Sequence, residues 1–279
     1  MKYKIIKGTF HVSGYSPDGD SIRFQAENPK HWDFFKWGSD SNKKKSKKQL
    51  RFEAIDALET HYEESHQPRS FGIAALEVLL EMINIRNVIY NISISKIKHA
   101  EDGTSGFVAS SSLDVYDRPI SLVFHGEEKL RDGAELKVSD LPLAKSVNMK
   151  LLKLGLVYPT FYSTMERELI DAFTSATVKA RKGKIGLWAL DKTHDFTLWN
   201  KETIQNDVVI LPKLFRRLAS FFIEESSYDE LKNYLAKTKD VVLVKPSMEK
   251  KKLHEIIEVN GKRITFLKNP EDIIFAPKG

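Results

Sequence analysis

The chain has 279 residues, 41% of them hydrophobic and 29% charged, enough for one large core or for a main domain with a smaller companion. Lysine and arginine outnumber aspartate and glutamate by 44 to 38, a net charge of +6 that favours anionic partners such as nucleic acid. Cysteine is absent, which excludes disulfides and thiolate metal sites and leaves any metal to oxygen or imidazole donors, the set that suits hard cations.

The opening "MKYKIIKGTFHVSG" lacks the apolar run of a signal peptide, so a cytoplasmic location is expected unless a leader has been removed. "KGTFHVSGYS", the turn "PDGD" and "SIRFQA" read as a hairpin. Residues 27–48, "ENPKHWDFFKWGSDSNKKKSKK", break the alternation and read as an inserted loop, an aromatic cluster followed by a lysine-rich run. A strand resumes at Leu50–Ile55. In "FGIAALEVLLEMI" the residues Ile73, Leu76, Leu79, Leu80 and Ile83 recur at helical spacing, and Glu77 and Glu81 argue against a membrane span.

"NVIYNISISKIKH" and "SSLDVYDRPISLVFH" have strand composition, and "SVNMKLLKLGLVYP" reads as a helix that stops at Gly155. The polar-amphipathic helix "TMERELIDAFTSATVKARKG" follows. After Asp191 the segments "DVVILP", "KLFRRLASFFIEES", "YDELKNYLAKTK" and "DVVLVKP" suggest a small α+β unit closed by a hairpin with Asn260 and Gly261 at its turn. The expected organisation is a domain over 1–192 and a second over 193–279, for whose role no motif speaks.

Three segments carry charges that can converge. "DGDSIRF" places Asp18 and Asp20 around Gly19 at a tight turn, where carboxylates can reach a hard cation. In "RFEAIDALET" the odd offset between Arg51 and Asp56 points them to opposite faces of a regular strand, so shared use demands a bend or bulge between them. In "DVYDRPISLVF" Arg118 stands before Pro119, which removes a ladder donor and suits an edge or bulged strand. Displacement at a phosphodiester needs such a set. Charge gathers on the non-bridging oxygens, guanidinium forks and a divalent cation match it, and a carboxylate, here Glu59, orients or deprotonates water. Glu53 has no assigned task and is expected on the surface.

Taken together, these residues resemble the staphylococcal nuclease family. "DGDSIRF" is similar to that family's "DGDT" segment, "RFEAIDALET" to its arginine-to-"DTPET" segment and "YDRPISLVF" to its "YGR" strand. "VNMKLLKLGLVYPTFY" and "AFTSATVKARKGKIGLW" resemble its later helices, so the matches run in order over about residues 5 to 190. The resemblance implies an α+β fold, with a five-stranded OB-fold-like β-barrel and packed helices. It implies Arg51, Glu59 and Arg118 as catalytic residues, and one Ca²⁺ held by Asp20, Asp56 and the backbone carbonyl of Ala57. The activity implied is hydrolysis of DNA or RNA with low sequence specificity, leaving 3′-phosphate and 5′-hydroxyl ends. Asp117 stands where the family has glycine, and either pairs with Arg118 or adds charge to the metal site.

For the substrate, Tyr116 matches the tyrosine of the family's nucleotide pocket, and Phe161 or Tyr162 supplies an opposing aromatic wall or packs in the core. Lys44 and Lys45 in the insertion either form a cationic edge for a polynucleotide or a solvated loop. His61 and His66 lie near Glu59, but no third matched ligand completes a transition-metal site. The alternative to a nuclease is a non-catalytic OB-fold module that binds nucleic acid or a protein. No membrane partner is expected.

Overall fold

The computed structural model describes residues 1–92, 96–126, 129–224 and 227–276, and the chain divides into two compact units. The first comprises Met1–Glu53 and Ala74–Leu151, the second Ala54–Ile73 and Leu152–Gly279.

In the first unit five strands close into a barrel: β1 Tyr3–His11, β2 Ser21–Ala26, β3 Lys47–Phe52, β4 Thr104–Leu113 and β5 Pro119–His125. Their order is β2-β3-β5-β4-β1, and pairing of β1 with β2 completes the circuit. β3 and β5 are parallel, with Arg51 opposite Ile120, and the other pairs are antiparallel. Alternating residues are withdrawn from water, among them Ile5, Ile22, Phe24, Leu50, Leu122 and Phe124. Two glycines facing each other across β1 and β4 let the barrel wall draw in tightly. A Cβ on Gly8 would lie 2.1 Å from the Gln25 carbonyl oxygen, and one on Gly106 would lie 2.4 Å from the Phe124 carbonyl oxygen.

The expected hairpin is present, but its strands are joined by residues 12–20 rather than by a tight turn. Pro119 does not mark an edge. It is the first residue of β5, a strand flanked on both sides, and the register irregularity lies on β4 between Ser110 and Ser112. The insertion folds as a 3₁₀ turn at Pro29–Phe34 and a short helix, α1, at Asp40–Lys44. Its aromatic cluster continues the barrel core: Phe24, Trp32 and Phe35 pack in series, with centroids 6.5 and 6.0 Å apart.

The helix expected around residue 73 is α2, Arg69–Met82, and the one ending before Gly155 is α3, Val147–Lys153; the division between the units falls within each. In the second unit α4 spans Arg167–Lys182, α5 Pro212–Glu224 and α6 Leu231–Lys237. A four-stranded sheet runs Phe161–Tyr162, Ile273–Phe275, Val241–Val244 and Glu249–Lys252, and a three-stranded sheet Asp195–Thr197, Arg263–Phe266 and Ile257–Asn260. One apolar core joins Leu58, Tyr158, Leu187 and Trp188 to Leu214, Phe215, Leu218 and Phe266. Residues on both sides of position 193 therefore share it. The last hairpin turns at Gly261 and Lys262, one residue later than expected, because burial of Ile257, Ile264 and Phe266 sets the pairing of Asn260 with Arg263.

Candidate active site

The first unit presents Asp20, Arg51 and Arg118. Ser21 pairs with Arg51 across β2 and β3, and the Phe52 N–H donates to the Asp20 carbonyl at 2.9 Å, so Asp20 lies beside the end of β3. There the Arg51 guanidinium forms an ion pair with the buried Asp20 carboxylate. Asp18 Oδ1 is buried without a hydrogen-bond partner among the described residues.

Arg118 closes the turn between β4 and β5. Asp114 organises that turn: its Oδ1 accepts the N–H groups of Tyr116 at 2.9 Å and Arg118 at 2.8 Å, and its Oδ2 accepts Arg118 Nε at 2.7 Å. Asp117 has φ +59°, the left-handed region where glycine is favoured. Its carboxylate serves the insertion: Oδ1 accepts the Gly38 N–H at 2.8 Å and Oδ2 the Asn42 amide at 3.3 Å. Lys48 fastens the same loop from beneath, donating to the carbonyls of Asn42 at 2.7 Å and Lys43 at 2.6 Å, with its ammonium 4.6 Å over Trp37. Burial, and then the Lys45 charge, lower the Lys48 pKa to about 8. Lys44 and Lys45 are exposed on this anchored loop. Tyr116 is 73% exposed, its ring 5.6 Å from the Arg118 guanidinium.

Glu53 is a correction to the sequence reading. It is 2% exposed, accepts from the Tyr3 hydroxyl at 3.1 Å, and burial raises its pKa to about 8. Its backbone is tied down as well. The N–H donates to the Ser121 carbonyl, and the carbonyl accepts the Asn148 amide, each at 2.9 Å. A side chain rooted this firmly inside the unit has no route to solvent.

The second unit presents Asp56, Ala57 and Glu59. Ala54 adopts φ +66°, a non-glycine in the left-handed region, and Ile55–Asp56 then pairs with Tyr158–Pro159 rather than continuing β3. This break answers the demand for a bend after Arg51. Asp56 is 1% exposed and Ala57 is buried. Gln67, fully buried, holds Glu59 in place: its Oε1 accepts the Glu59 N–H at 3.2 Å, its own N–H donates to the Glu59 carbonyl at 2.7 Å, and its Nε2 donates to the Ile210 carbonyl at 2.7 Å.

Arg216 on α5 takes both carboxylates. Its Nη2 lies 2.6 Å from Asp56 Oδ2, and its Nη1 lies 3.4 Å from Asp56 Oδ1 and bonds Glu59 Oε1. On the same helix Arg217 pairs with Asp240, and Lys213 Nζ lies 3.5 Å from it. Burial lowers the Lys213 pKa to about 8; Asp240 opposes the shift, while Arg216 and Arg217 add to it. Nothing in the sequence motifs pointed to Arg216 or Gln67. The available signal was the arginine doublet in "KLFRRLASFF", a helix whose Leu214, Phe215, Leu218 and Ala219 are buried.

Two substrate expectations separate here. Phe161 is 0% exposed, with Lys245 Nζ 5.5 Å over its ring, and is a core aromatic that offers no face to a base. Tyr162 is half-buried, its ring 6.1 Å from Phe275. His61 and His66 engage Thr60 Oγ1 and the Gln67 carbonyl at 3.2 and 3.0 Å.

Calcium takes six to eight oxygen ligands. Among the described residues no three acidic or histidine side chains converge on a common point. Asp20 already accepts from Arg51, and Asp56 turns both oxygens to Arg216. Each carboxylate is thus engaged by a guanidinium within its own unit and does not offer the ion free oxygens, and no step of the chemistry is drawn through it.

A closed five-stranded barrel with accompanying helices, an arginine at the end of its third strand and another before its fifth define an OB-fold protein of nuclease type. The family model described as staphylococcal nuclease homologue matches residues 49–190, just over half of the chain, and the chain belongs to that family. No curated protein matches the sequence. The match includes Arg51, Asp56, Glu59 and Arg118; β1, β2 and Asp20 lie before it.

Proposed function

We propose that this chain is a nuclease that hydrolyses phosphodiester bonds of DNA or RNA with low sequence specificity and leaves 3′-phosphate and 5′-hydroxyl ends. The observation that supports the reading best is Glu59. Its N–H donates to the Gln67 side-chain oxygen and its carbonyl accepts the Gln67 backbone N–H, and its carboxylate is held by a guanidinium rather than lost to the core. A carboxylate positioned in this way can orient a water for in-line attack. Arg51 and Arg118 supply planar cations for the non-bridging oxygens, each now resting on an aspartate that phosphate would replace. Exposed Tyr116 offers a face to a base, and Lys44 and Lys45 attract the polyanion.

The test is cleavage of single-stranded DNA and RNA by the full chain, with Ca²⁺ and with a chelator, and with end-group analysis of the products. Glu59→Gln is expected to lower the rate by about 10²-fold or more. Absence of cleavage in every condition, or a rate indifferent to Glu59→Gln, sinks the proposal. One observation favours a second reading, a binding module without turnover: Arg51, Arg118 and Glu59 are each engaged in an internal ion pair. Salt-dependent retention of oligonucleotides with no products would support it.

A further inference from the structure

We infer that Arg216 is the resident cation of the Asp56–Glu59 carboxylate pair and keeps a divalent ion from binding there. The inference concerns the carboxylates themselves and stands whether or not the chain turns over nucleic acid.

The first support is geometric. A guanidinium is a planar fork, and Arg216 uses it across two side chains, both nitrogens toward Asp56 and one of them also toward Glu59. These contacts claim both Asp56 oxygens, and a metal would need them.

The second is charge. Asp56, Glu59 and Asp240 face Arg216, Arg217 and Lys213, three carboxylates against three cations, in a region where Asp56 and Asp240 are almost wholly buried. Two further positive charges would have to displace a guanidinium from its partners and leave it unpaired away from water, which is the costly way to break a buried ion pair.

The third is the rigidity of the carrier. Arg216 lies within α5, a helix of Pro212–Glu224 whose Leu214, Phe215, Leu218 and Ala219 are fully buried. Tyr62, three residues beyond Glu59, packs its ring 6.3 Å from that of Phe215 and bonds its hydroxyl to Ser220 Oγ at 3.2 Å. The helix that delivers the guanidinium and the segment that carries Glu59 thus share packing and a hydrogen bond. A loop could swing a latch out of the way; a core helix holds its arginine in place.

Calcium titration calorimetry on the full chain tests this, comparing wild type, Arg216→Met and the double variant Arg216→Met/Asp56→Asn. Wild type is expected to give no saturable heat in the millimolar range. Arg216→Met should gain one saturable site, and the double variant should lose it again. Saturable binding by wild type that Asp56→Asn removes overturns the inference, and so does an Arg216→Met variant that folds and still binds nothing. Should Arg216→Met fail to fold, thermal unfolding of wild type and Asp56→Asn with calcium or chelator decides. The expected result is the same midpoint in both solutions for each protein, and a calcium-induced rise in wild type that is absent in Asp56→Asn refutes the proposal. These readouts are independent of cleavage, so a nuclease that works in chelator and a chain that never cleaves are told apart by the activity assay alone.

Discussion

The two compact units solve the same electrostatic problem in different ways. In the first, each arginine has a partner given by local pairing: Arg51 reaches Asp20 because β2 and β3 place Ser21 opposite it, and Arg118 reaches Asp114 four residues earlier in one turn. In the second, Arg216 reaches carboxylates 157 and 160 positions away and binds both at once. The pair of Arg118 with Asp114, the more exposed of these, can open toward solvent or a ligand at modest cost, whereas the pair of Arg216 with Asp56 is withdrawn from water and belongs to the core that holds it. The first kind suits a group that must exchange its partner for phosphate. The second suits a group that stays.

The comparison breaks most directly on stability. Arg216→Met leaves Asp56 buried without its counter-charge and is expected to cost about 3–5 kcal/mol. Arg118→Met, whose side chain is 32% exposed, should cost no more than ~1 kcal/mol. Urea unfolding of the two variants measures both. Equal losses would show that Arg216 is no more built into the structure than a turn arginine.

A second expectation concerns Glu53, whose carboxyl meets the Tyr3 hydroxyl and, among the described residues, no cation. Its pKa rises from an ordinary 4.5 to about 8 on folding, so between these values the native chain holds a proton that the unfolded chain releases. The unfolded state then binds fewer protons, and stability falls as pH rises through that window. The loss approaches ~1.4 kcal/mol per pH unit. Glu53→Gln should remove this slope and raise the unfolding midpoint at neutral pH relative to wild type. A wild-type profile that is flat from pH 5 to about pH 7 would contradict the burial argument.

The division between local and long-range pairing also marks what was legible in the sequence. The barrel strands and the helices of 69–82 and 167–182 follow from alternation and helical spacing, and the motifs that carry Arg51, Asp56, Glu59 and Arg118 are contiguous. The demand for a bend after Arg51 was legible too. Its place was hidden, because Ala54 at φ +66° carries no sequence sign of a left-handed residue. Glu53 was misplaced because an alternation of polar and apolar residues does not tell which faces the interior when a tyrosine hydroxyl from another strand waits to receive a carboxyl. Phe161 was ambiguous for a similar reason, since strand aromatics look alike whether they line a pocket or a core. Arg216 could not be paired at all, for its partners are fixed only by the tertiary core.

The smallest effect bears on the local kind of pairing, at Asp117. Its carboxylate accepts two hydrogen bonds from the insertion, from the Gly38 N–H and the Asn42 amide, while its backbone sits where glycine is at ease. Asp117→Gly therefore separates two contributions of opposite sign. Relief of the left-handed strain favours the variant by about 1 kcal/mol, and loss of the two bonds disfavours it by a similar amount, so global stability should move by less than ~1 kcal/mol. The insertion, however, loses its tie to the turn of Arg118, and amide hydrogen exchange across residues 36–46 should quicken while β3 and β5 stay protected. Asp117→Asn keeps one acceptor and should fall between. If exchange in the insertion is unchanged in Asp117→Gly, Lys48 and the packed aromatics anchor the loop without Asp117, and the lysines it presents are positioned independently of Arg118.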